Sequence, residues 1–579
     1  MSDRRIGVYI CHCGGNISDY VDVEKVRRAV QDEPGVVVAK TAMFTCSDAT
    51  QQEMVQDIEE QQLDGLVVAS CSPKLHLFTF REVAKRAGLN PYQYTQVNVR
   101  EQCSWTHTDD YAGATAKAIR LVRGGIARTR LTEPLQPIKI DTVPRVLVVG
   151  AGIAGMRAAV GLADLGLAVL LIEREPVVGG RVAAWGAMYP HGKNGRQLIA
   201  RLNEEIKQRE NITLFTCAEL VEKSGSIGNF NIKIRVGGNS GQGQEIITAR
   251  VGSIIVATGF DNYQPVAGEY GYGIDGVLTL AEYKELLDST EGKLFRHGRE
   301  IKDVVYVYCV GSRQQSGENP NRYCSRYCCN AAVHASIEAV DKNPGLHQYH
   351  LFRDMRTYGK YELLYNQARE KGAVFLRFDH QEPPVVEKMA DGKLMVKVRD
   401  LLTYSEQIDI AADVVVLVTG MVPRDNGSLV DVLKLPLGQD KFFNEIHPKL
   451  RPVETVVDGV FICGACQGPK NSSESVASAL SAVTQSASIL KKGFVELEPL
   501  IAQVDPEVCR WCGECTSACP YGAIEQVQYQ GRAVARVNEA VCKGCGGCAP
   551  LCPAGAIDLK GYTDEQMKSM IDAFLKEIV

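Results

Sequence analysis

The chain has 579 residues, with 64 lysines and arginines against 69 aspartates and glutamates and 45% apolar residues. One core stops growing near roughly 250–300 residues, so about three or four domains are expected, and the near balance of charge excludes the electropositive footprint of a nucleic-acid-binding protein. No apolar stretch approaches the ~18 residues of a membrane span, and the short apolar run behind Arg4 and Arg5 is no signal-peptide core, so a cytoplasmic protein is expected.

Residues 1–130 alternate apolar runs at Ile6–Ile10, Val36–Ala39, Leu66–Ala69 and Tyr94–Val99 with helical stretches at Val23–Gln31, Gln51–Gln61 and Phe78–Ala87. This is the pattern of a small doubly wound α/β sheet. Cys11 and Cys13, Cys46, Cys71 and Cys103 all follow strand exits, and parallel strands place their carboxyl ends on one edge, where scattered thiols can meet. A reducing compartment keeps ordinary thiols reduced, so a load of 20 cysteines reads first as metal ligation, with buried structural thiols as the competing reading. Periodicity does not separate Cys11 from Cys13; the glycine-rich turn favours Cys13. This domain is drawn at 1–135, ahead of a proline-containing linker at 131–144.

At Val146–Val149 a strand leads into Gly150-Ala151-Gly152-Ile153-Ala154-Gly155, then a helix, then a second strand at Ala168–Ile172 ending at Glu173. Glycines let the backbone approach a pyrophosphate at a helix N-terminus, and an acid about 20 residues on accepts from a ribose hydroxyl. FAD is favoured over NAD because the run from Glu173 and Arg174 to Gly180 and Arg181 resembles the second glycine pair of two-dinucleotide-binding, thioredoxin reductase-like flavoproteins. Ile254–Phe260, with Ala257, Thr258 and Gly259, looks like their return strand, and Asp458–Ala465 like their last flavin strand. Ala465, after Gly464, stands where an aspartate is usual. The FAD domain is drawn at 145–299 and 411–495. Cys217, Cys463 and Cys466 read as packing.

Residues 300–410 read as an inserted second α/β domain opening on the strand Val304–Tyr308. Cys309-Val-Gly-Ser-Arg313 follows in place of a three-glycine turn, which disfavours a nicotinamide substrate. Cys309, Cys324, Cys328 and Cys329 suffice for one [4Fe-4S] cluster; a thiol–disulfide pair is the alternative, although adjacent cysteines bridge only with strain.

Residues 500–579 are an internal duplication. Cys509-x2-Cys512-x2-Cys515-x3-Cys519-Pro520 recurs as Cys542-x2-Cys545-x2-Cys548-x3-Cys552-Pro553, the two-cluster ferredoxin spacing in which the fourth cysteine crosses to the other cluster. One cluster is therefore assigned to Cys509, Cys512, Cys515 and Cys552, and its neighbour to Cys519, Cys542, Cys545 and Cys548. Thr563 can cap a terminal amphipathic helix.

Cys11-His-Cys-Gly, Val-Ala-Ser70-Cys71-Ser-Pro, Arg100-Glu-Gln-Cys103-Ser-Trp105, the flavin fingerprint, the Cys309 and Tyr323–Cys329 segments, Gly464–Pro469 and the ferredoxin tail through Gln566 together resemble the A subunits of heterodisulfide reductases from end to end. The resemblance implies a [4Fe-4S] cluster at the N-terminal cysteines and another at Cys309, Cys324, Cys328 and Cys329, with no catalytic side chain beyond the FAD itself. It also implies B- and C-like partner subunits, ferredoxin, and a hydrogenase, formate dehydrogenase or similar donor reached through a small [2Fe-2S] protein, all around a homodimer. FAD would split or merge electron pairs, that is, bifurcate or confurcate. Two departures stand out. Residues 181–308 contain only Cys217, so the extra ferredoxin insertion of many members is missing, and His334 stands where members often carry a lysine near the flavin ring. The alternatives are a relay subunit without bifurcation, or a self-sufficient NAD(P)H oxidoreductase.

Overall fold

The computed structural model describes residues 4–237, 244–317 and 319–576. The chain divides into two units, residues 1–139 with 496–579, and residues 140–495.

In the first unit, strands β1 (Ile6–Cys11), β2 (Val36–Ala42), β3 (Gly65–Ser70) and β4 (Tyr94–Asn98) form a parallel sheet in the order β2-β1-β3-β4. Helices α1 (Val23–Val30), α2 (Asp48–Glu60), α3 (Pro73–Arg86) and α4 (Tyr111–Arg130) alternate with them. Every residue of β1 and β3 is buried, as expected of central parallel strands covered on both faces. Strand order reverses between these two strands, so Cys11 and Cys71 stand at the point where such sheets take ligands.

The duplicated tail belongs to this same unit. It is built on an antiparallel hairpin, Ile524–Tyr529 with Arg532–Val537, and a second antiparallel pair, Ala502–Val504 with Ile557–Leu559. Arg128 Nη2 donates to the Gly561 carbonyl at 2.8 Å and its guanidinium lies 4.2 Å from the Tyr562 ring centroid. Gln566, in the capping box of the terminal helix Asp564–Leu575, donates to the Leu131 carbonyl at 2.8 Å. These bonds seat the tail on α4.

The second unit holds two parallel five-stranded sheets. The first contains β5 (Arg145–Val149), β6 (Ala168–Ile172), β7 (Ile212–Phe215), β8 (Ser253–Val256) and a strand at Val460–Ile462 that pairs with β8. Its order is β7-β6-β5-β8 and then Val460–Ile462, with α5 (Ile153–Asp164) and α6 (Gly195–Lys207) joining its strands. The second sheet contains β9 (Val277–Thr279), β10 (Asp303–Val310), β11 (His347–Phe352), β12 (Val374–Arg377) and β13 (Val414–Thr419), ordered β9-β13-β10-β11-β12. Helices α7 (Leu280–Ser289), α8 (Cys328–Lys342) and α9 (Glu362–Glu370) belong to it, and α10 (Ser472–Leu490) closes the unit.

The insertion boundaries at 300 and 410 need correction, because β9 lies before them and β13 after them, yet both pair in the second sheet. Their pairing is long-range and parallel, which no local pattern of three to six apolar residues reveals. Cys217, read as packing, is only half-buried. It sits between β7 and the strand Ala218–Ser226 at φ +49°.

Candidate functional site: a flavin cleft and four groups of thiols

Strand order in the first sheet reverses between β5 and β8, and the cleft opens outside their carboxyl ends. Gly150 has φ +102°, and a Cβ there would lie 2.6 Å from the Ala257 carbonyl oxygen. A Cβ on Gly155 would lie 1.8 Å from the Gly150 carbonyl oxygen, so only glycine lets strand, turn and α5 close this tightly. At Gly152 a Cβ would meet nothing within 4 Å, which leaves room for a phosphate at the α5 N-terminus. Glu173, buried at the end of β6, accepts from the Ala151 amide at 2.7 Å and the Glu175 amide at 3.0 Å.

The cleft has a volume of about 570 Å³ and is lined by Gly150, Gly152, Ile153, Ala154, Glu173, Arg174, Gly180, Arg181, Ala257, Thr258, Gly259 and Ala465. Gly155 stands behind its wall, as does Gly464, whose φ of +72° brings its loop against Ala154. The Thr258 hydroxyl is buried without a partner among the described residues, a polar group that a ligand in the cleft would satisfy. Glycine turn, acid and orphaned hydroxyl fit the dinucleotide portion of FAD.

Several wall residues have no counterpart in the motif reading: Trp185, Tyr189, Tyr327, Arg424, Lys470, Asn471 and Ser472. Asn471 caps α10 in a reciprocal box with Glu474, at 2.8 and 3.0 Å, so the positive end of that helix lies at the cleft. The Asn471-x-x-Glu474 pattern is the sequence signal that could have marked it. Burial lowers the pKa of Lys470 beside it, opposed by Cys466 and Glu445. A smaller, mostly apolar hollow shares Trp185, Tyr189, Tyr327, Asn471 and Ser472 with the cleft and adds His334, whose pKa burial lowers.

Beyond Tyr327, α8 opens on Cys328 and Cys329. A bulge in β10 turns Cys309 out at φ +63°, and Arg313 Nη1 reaches its sulfur at 3.9 Å. Cys328 hydrogen-bonds Cys329, which raises the first thiol and lowers the second; burial and the remaining Cys309 and Cys324 thiols push Cys328 further up. Cys309, Cys324, Cys328 and Cys329 are all free thiols, and the other three lie near enough to Cys328 to shift it. No group of three or more His, Cys, Asp or Glu side chains among the described residues is arranged to hold a metal ion.

In the first unit Cys509, Cys512, Cys515 and Cys552 line one cavity, and Cys519, Cys542, Cys545 and Cys548 line another. Backbone amides point at the sulfurs: Ala523 to Cys519 at 3.3 Å, Ala556 to Cys552 at 3.2 Å and Ala535 to Cys509 at 3.3 Å. The first two repeat the same local geometry in each half.

At the carboxyl edge of the N-terminal sheet, burial and then the Cys11 and Cys13 thiols push up the pKa of Cys46. Cys71 is pushed up to about 11, mainly by burial, with Arg100 opposing and Glu101, Cys13 and Cys11 adding. Cys103 stands apart: fully buried, it donates its thiol to the Ala114 carbonyl at 3.0 Å. Cys463 and Cys466 are fully buried beside the last flavin strand and line neither the flavin cleft nor the two tail cavities. No helix among the described residues is long and apolar enough to cross a membrane.

A family model described as FAD dependent oxidoreductase matches residues 145–219, and one described as 4Fe-4S dicluster domain matches residues 502–559. With the cleft and the paired cysteine cavities, they define an FAD- and [4Fe-4S]-containing oxidoreductase with a mixed α/β core. The second of two iron-sulfur A subunits of CoB--CoM heterodisulfide reductase in Methanopyrus kandleri is 37% identical to this chain, covering 92% of each. The corresponding A subunit of Methanocaldococcus jannaschii is 36% identical over 99% of this chain and 98% of its own. That of the H(2)/formate:CoB-CoM heterodisulfide,ferredoxin reductase of Methanococcus maripaludis is 34% identical over 99% of each. The chain belongs to the family of heterodisulfide reductase A subunits. Among solved structures, thioredoxin reductase of T. acidophilum matches 60% of this chain and 99% of its own, at 17% identity and a TM-score of 0.40.

Proposed function

We propose that this chain is the electron-branching subunit of a cytoplasmic heterodisulfide reductase-like complex, splitting or merging electron pairs between a donor enzyme, ferredoxin and a disulfide-type acceptor. The observation that carries this reading is the step from Tyr327 to Cys328. Tyr327 walls the flavin cleft, and the next residue begins the Cys309, Cys324, Cys328 and Cys329 quartet, so a flavin site and a cluster site share a wall. Bound FAD would supply exchange between paired and single electrons, which thiolate-held clusters alone do not.

The chain's residues supply the rest. Glu173 and the α5 N-terminus hold the ribose and pyrophosphate end of the cofactor, while Lys470 and the α10 N-terminus put positive potential at the cleft, where added negative charge is favoured. The cavities of the tail are read as two [4Fe-4S] sites, with amide hydrogen bonds tuning their sulfurs. For the N-terminal site, Cys13, Cys46 and Cys71 are retained as ligands. The contact of Cys103 with Ala114 makes Cys11 the better fourth ligand.

The printed names of relatives, which include H(2), formate and ferredoxin, support a hydrogenase- or formate dehydrogenase-type donor and ferredoxin as partners. B- and C-like subunits and a homodimeric assembly belong to the same reading through the family resemblance alone. The test is an anaerobic assay of the co-purified complex supplied with donor, ferredoxin and disulfide. Ferredoxin reduction should require simultaneous disulfide reduction in equal electron amounts. Ferredoxin reduced at the same rate without the disulfide would leave the chain a relay.

A further inference from the structure

The second parallel sheet carries another hollow at its carboxyl edge, where β10 and β11 end. It has a volume of about 380 Å³ and is lined by Arg313, Gln314, Gln315, Arg322 and Arg353, with no carboxylate among the described residues of its wall. Arg353 is braced by bonds of 3.0 Å from Nη1 to the Arg313 carbonyl and from Nη2 to the Ser312 carbonyl. Arg313 pairs with Asp354 at 2.5 Å. Arg322 is exposed and makes no hydrogen bond or ion pair among the described residues.

We propose that this hollow binds a phosphorylated anion of nucleotide size, such as ADP, through the guanidiniums of Arg313, Arg322 and Arg353. Arg322 and Arg353 pair with no carboxylate among the described residues, Arg313 shares its charge with Asp354 alone, and planar guanidinium forks match phosphate oxygens. The position, at the carboxyl ends of parallel strands, is where open α/β sheets take ligands, and the volume falls in the small-molecule range of roughly 300–1,000 Å³.

The neighbouring turn argues against a dinucleotide seated in the usual way. A Cβ on Gly311 would lie 2.0 Å from the Tyr263 ring, so that ring covers the turn where a pyrophosphate would approach, and α8 does not begin until Cys328. The bound anion is thus an effector and not a hydride donor. Arg313 and Arg353 both also reach the Cys309 sulfur. On the reading that Cys309 is a cluster ligand, an anion drawing on the same guanidiniums makes that cluster harder to reduce.

The test uses the full-length holoprotein, anaerobic and at low salt, titrated calorimetrically with ADP, pyrophosphate and adenosine. ADP and pyrophosphate should bind saturably and adenosine should not. Arg322→Ala should weaken ADP binding at least about tenfold, the loss expected for a charged hydrogen bond, while Lys360→Ala, outside the hollow, should leave it unchanged. Saturating ADP should move the midpoint of one iron–sulfur signal to more negative potential. No saturable heat, equal binding of adenosine, or undiminished affinity in R322A overturns the site, and an unmoved midpoint overturns the coupling to Cys309. Iron content of the same sample separates the two readings. ADP binding without iron at Cys309 would sink the cluster assignment alone, and full iron without ADP binding would sink the anion site alone.

Discussion

Arg100 donates a hydrogen bond from Nη1 to the sulfur of Cys13 at 3.3 Å while pairing with its neighbour Glu101 at 2.7 Å. Cys11 and Cys46 stand at the same sheet edge, and Arg100 and Cys13 both act on Cys71 there. Substituting Cys11, Cys13, Cys46 or Cys71 with serine should each remove about four irons per chain, whereas Cys103→Ser should keep them. Iron and sulfide analysis after anaerobic preparation decides. Retention in Cys11→Ser with loss in Cys103→Ser would return the fourth position to Cys103.

Gly152 and Gly155 differ in what a methyl group would meet, so their alanine variants should fail differently. Gly155→Ala drives a Cβ into the Gly150 carbonyl and should destabilise the unit. Gly152→Ala has space in the fold but none once a phosphate approaches. It should keep the apoprotein's thermal midpoint and weaken FAD retention at least about tenfold, near 1.4 kcal/mol, in a flavin-release assay. Equal losses of stability in both variants would contradict the assignment of Gly152 to cofactor approach.

Lys470 is half-buried beside the α10 N-terminus, where burial lowers its pKa. Its positive charge favours the reduced, more negative cofactor. Lys470→Met should shift the flavin midpoint to more negative potential by about 30 mV, equivalent to ~1.4 kcal/mol for a two-electron couple. An unchanged midpoint in spectroelectrochemical titration would show that Lys470 only packs.

His350 is fully buried, stacked 4.5 Å from the Tyr306 ring on one side and 4.5 Å from Phe375 on the other, with Nδ1 2.9 Å from the Tyr308 hydroxyl. Burial pushes its pKa down from 6.5 to about 3. The unfolded chain therefore binds the proton first, and the benefit of the neutral ring is complete above pH 6.5 and declines toward pH 3, by up to ~1.4 kcal/mol per pH unit. His350→Phe keeps the stack without the proton site. Thermal melts from pH 7 to pH 4 should show a shallower decline in the variant; parallel declines would remove His350 from the acid sensitivity.

Motifs whose chemistry is local are legible in the amino-acid sequence. The cysteine repeat of the tail needs only its spacing, because three thiolates of each group come from one short loop and the fourth from the matching position of the other half, and the two cavities hold the groups read from that spacing. The glycine turn after β5 is legible for the same reason. Residues that reach a site across the fold are not: Lys470 lines the cleft only because α10 begins beside it, and the Tyr323–Cys329 segment says nothing of Tyr327 facing the flavin cleft at the start of α8.

The amino-acid sequence by itself determined the family, the flavin fingerprint and the paired tail cysteines, since these rest on short turns and on a repeat whose two halves fix each other's partners. Tertiary structure alone decided that Val277–Thr279 and Val414–Thr419 join the second sheet, that Cys103 turns to Ala114 while Cys11 stays with Cys46, and that Arg313, Arg322 and Arg353 share one hollow. Parallel pairing and convergence at a sheet edge join residues tens to hundreds of positions apart, and no local propensity encodes which of them meet.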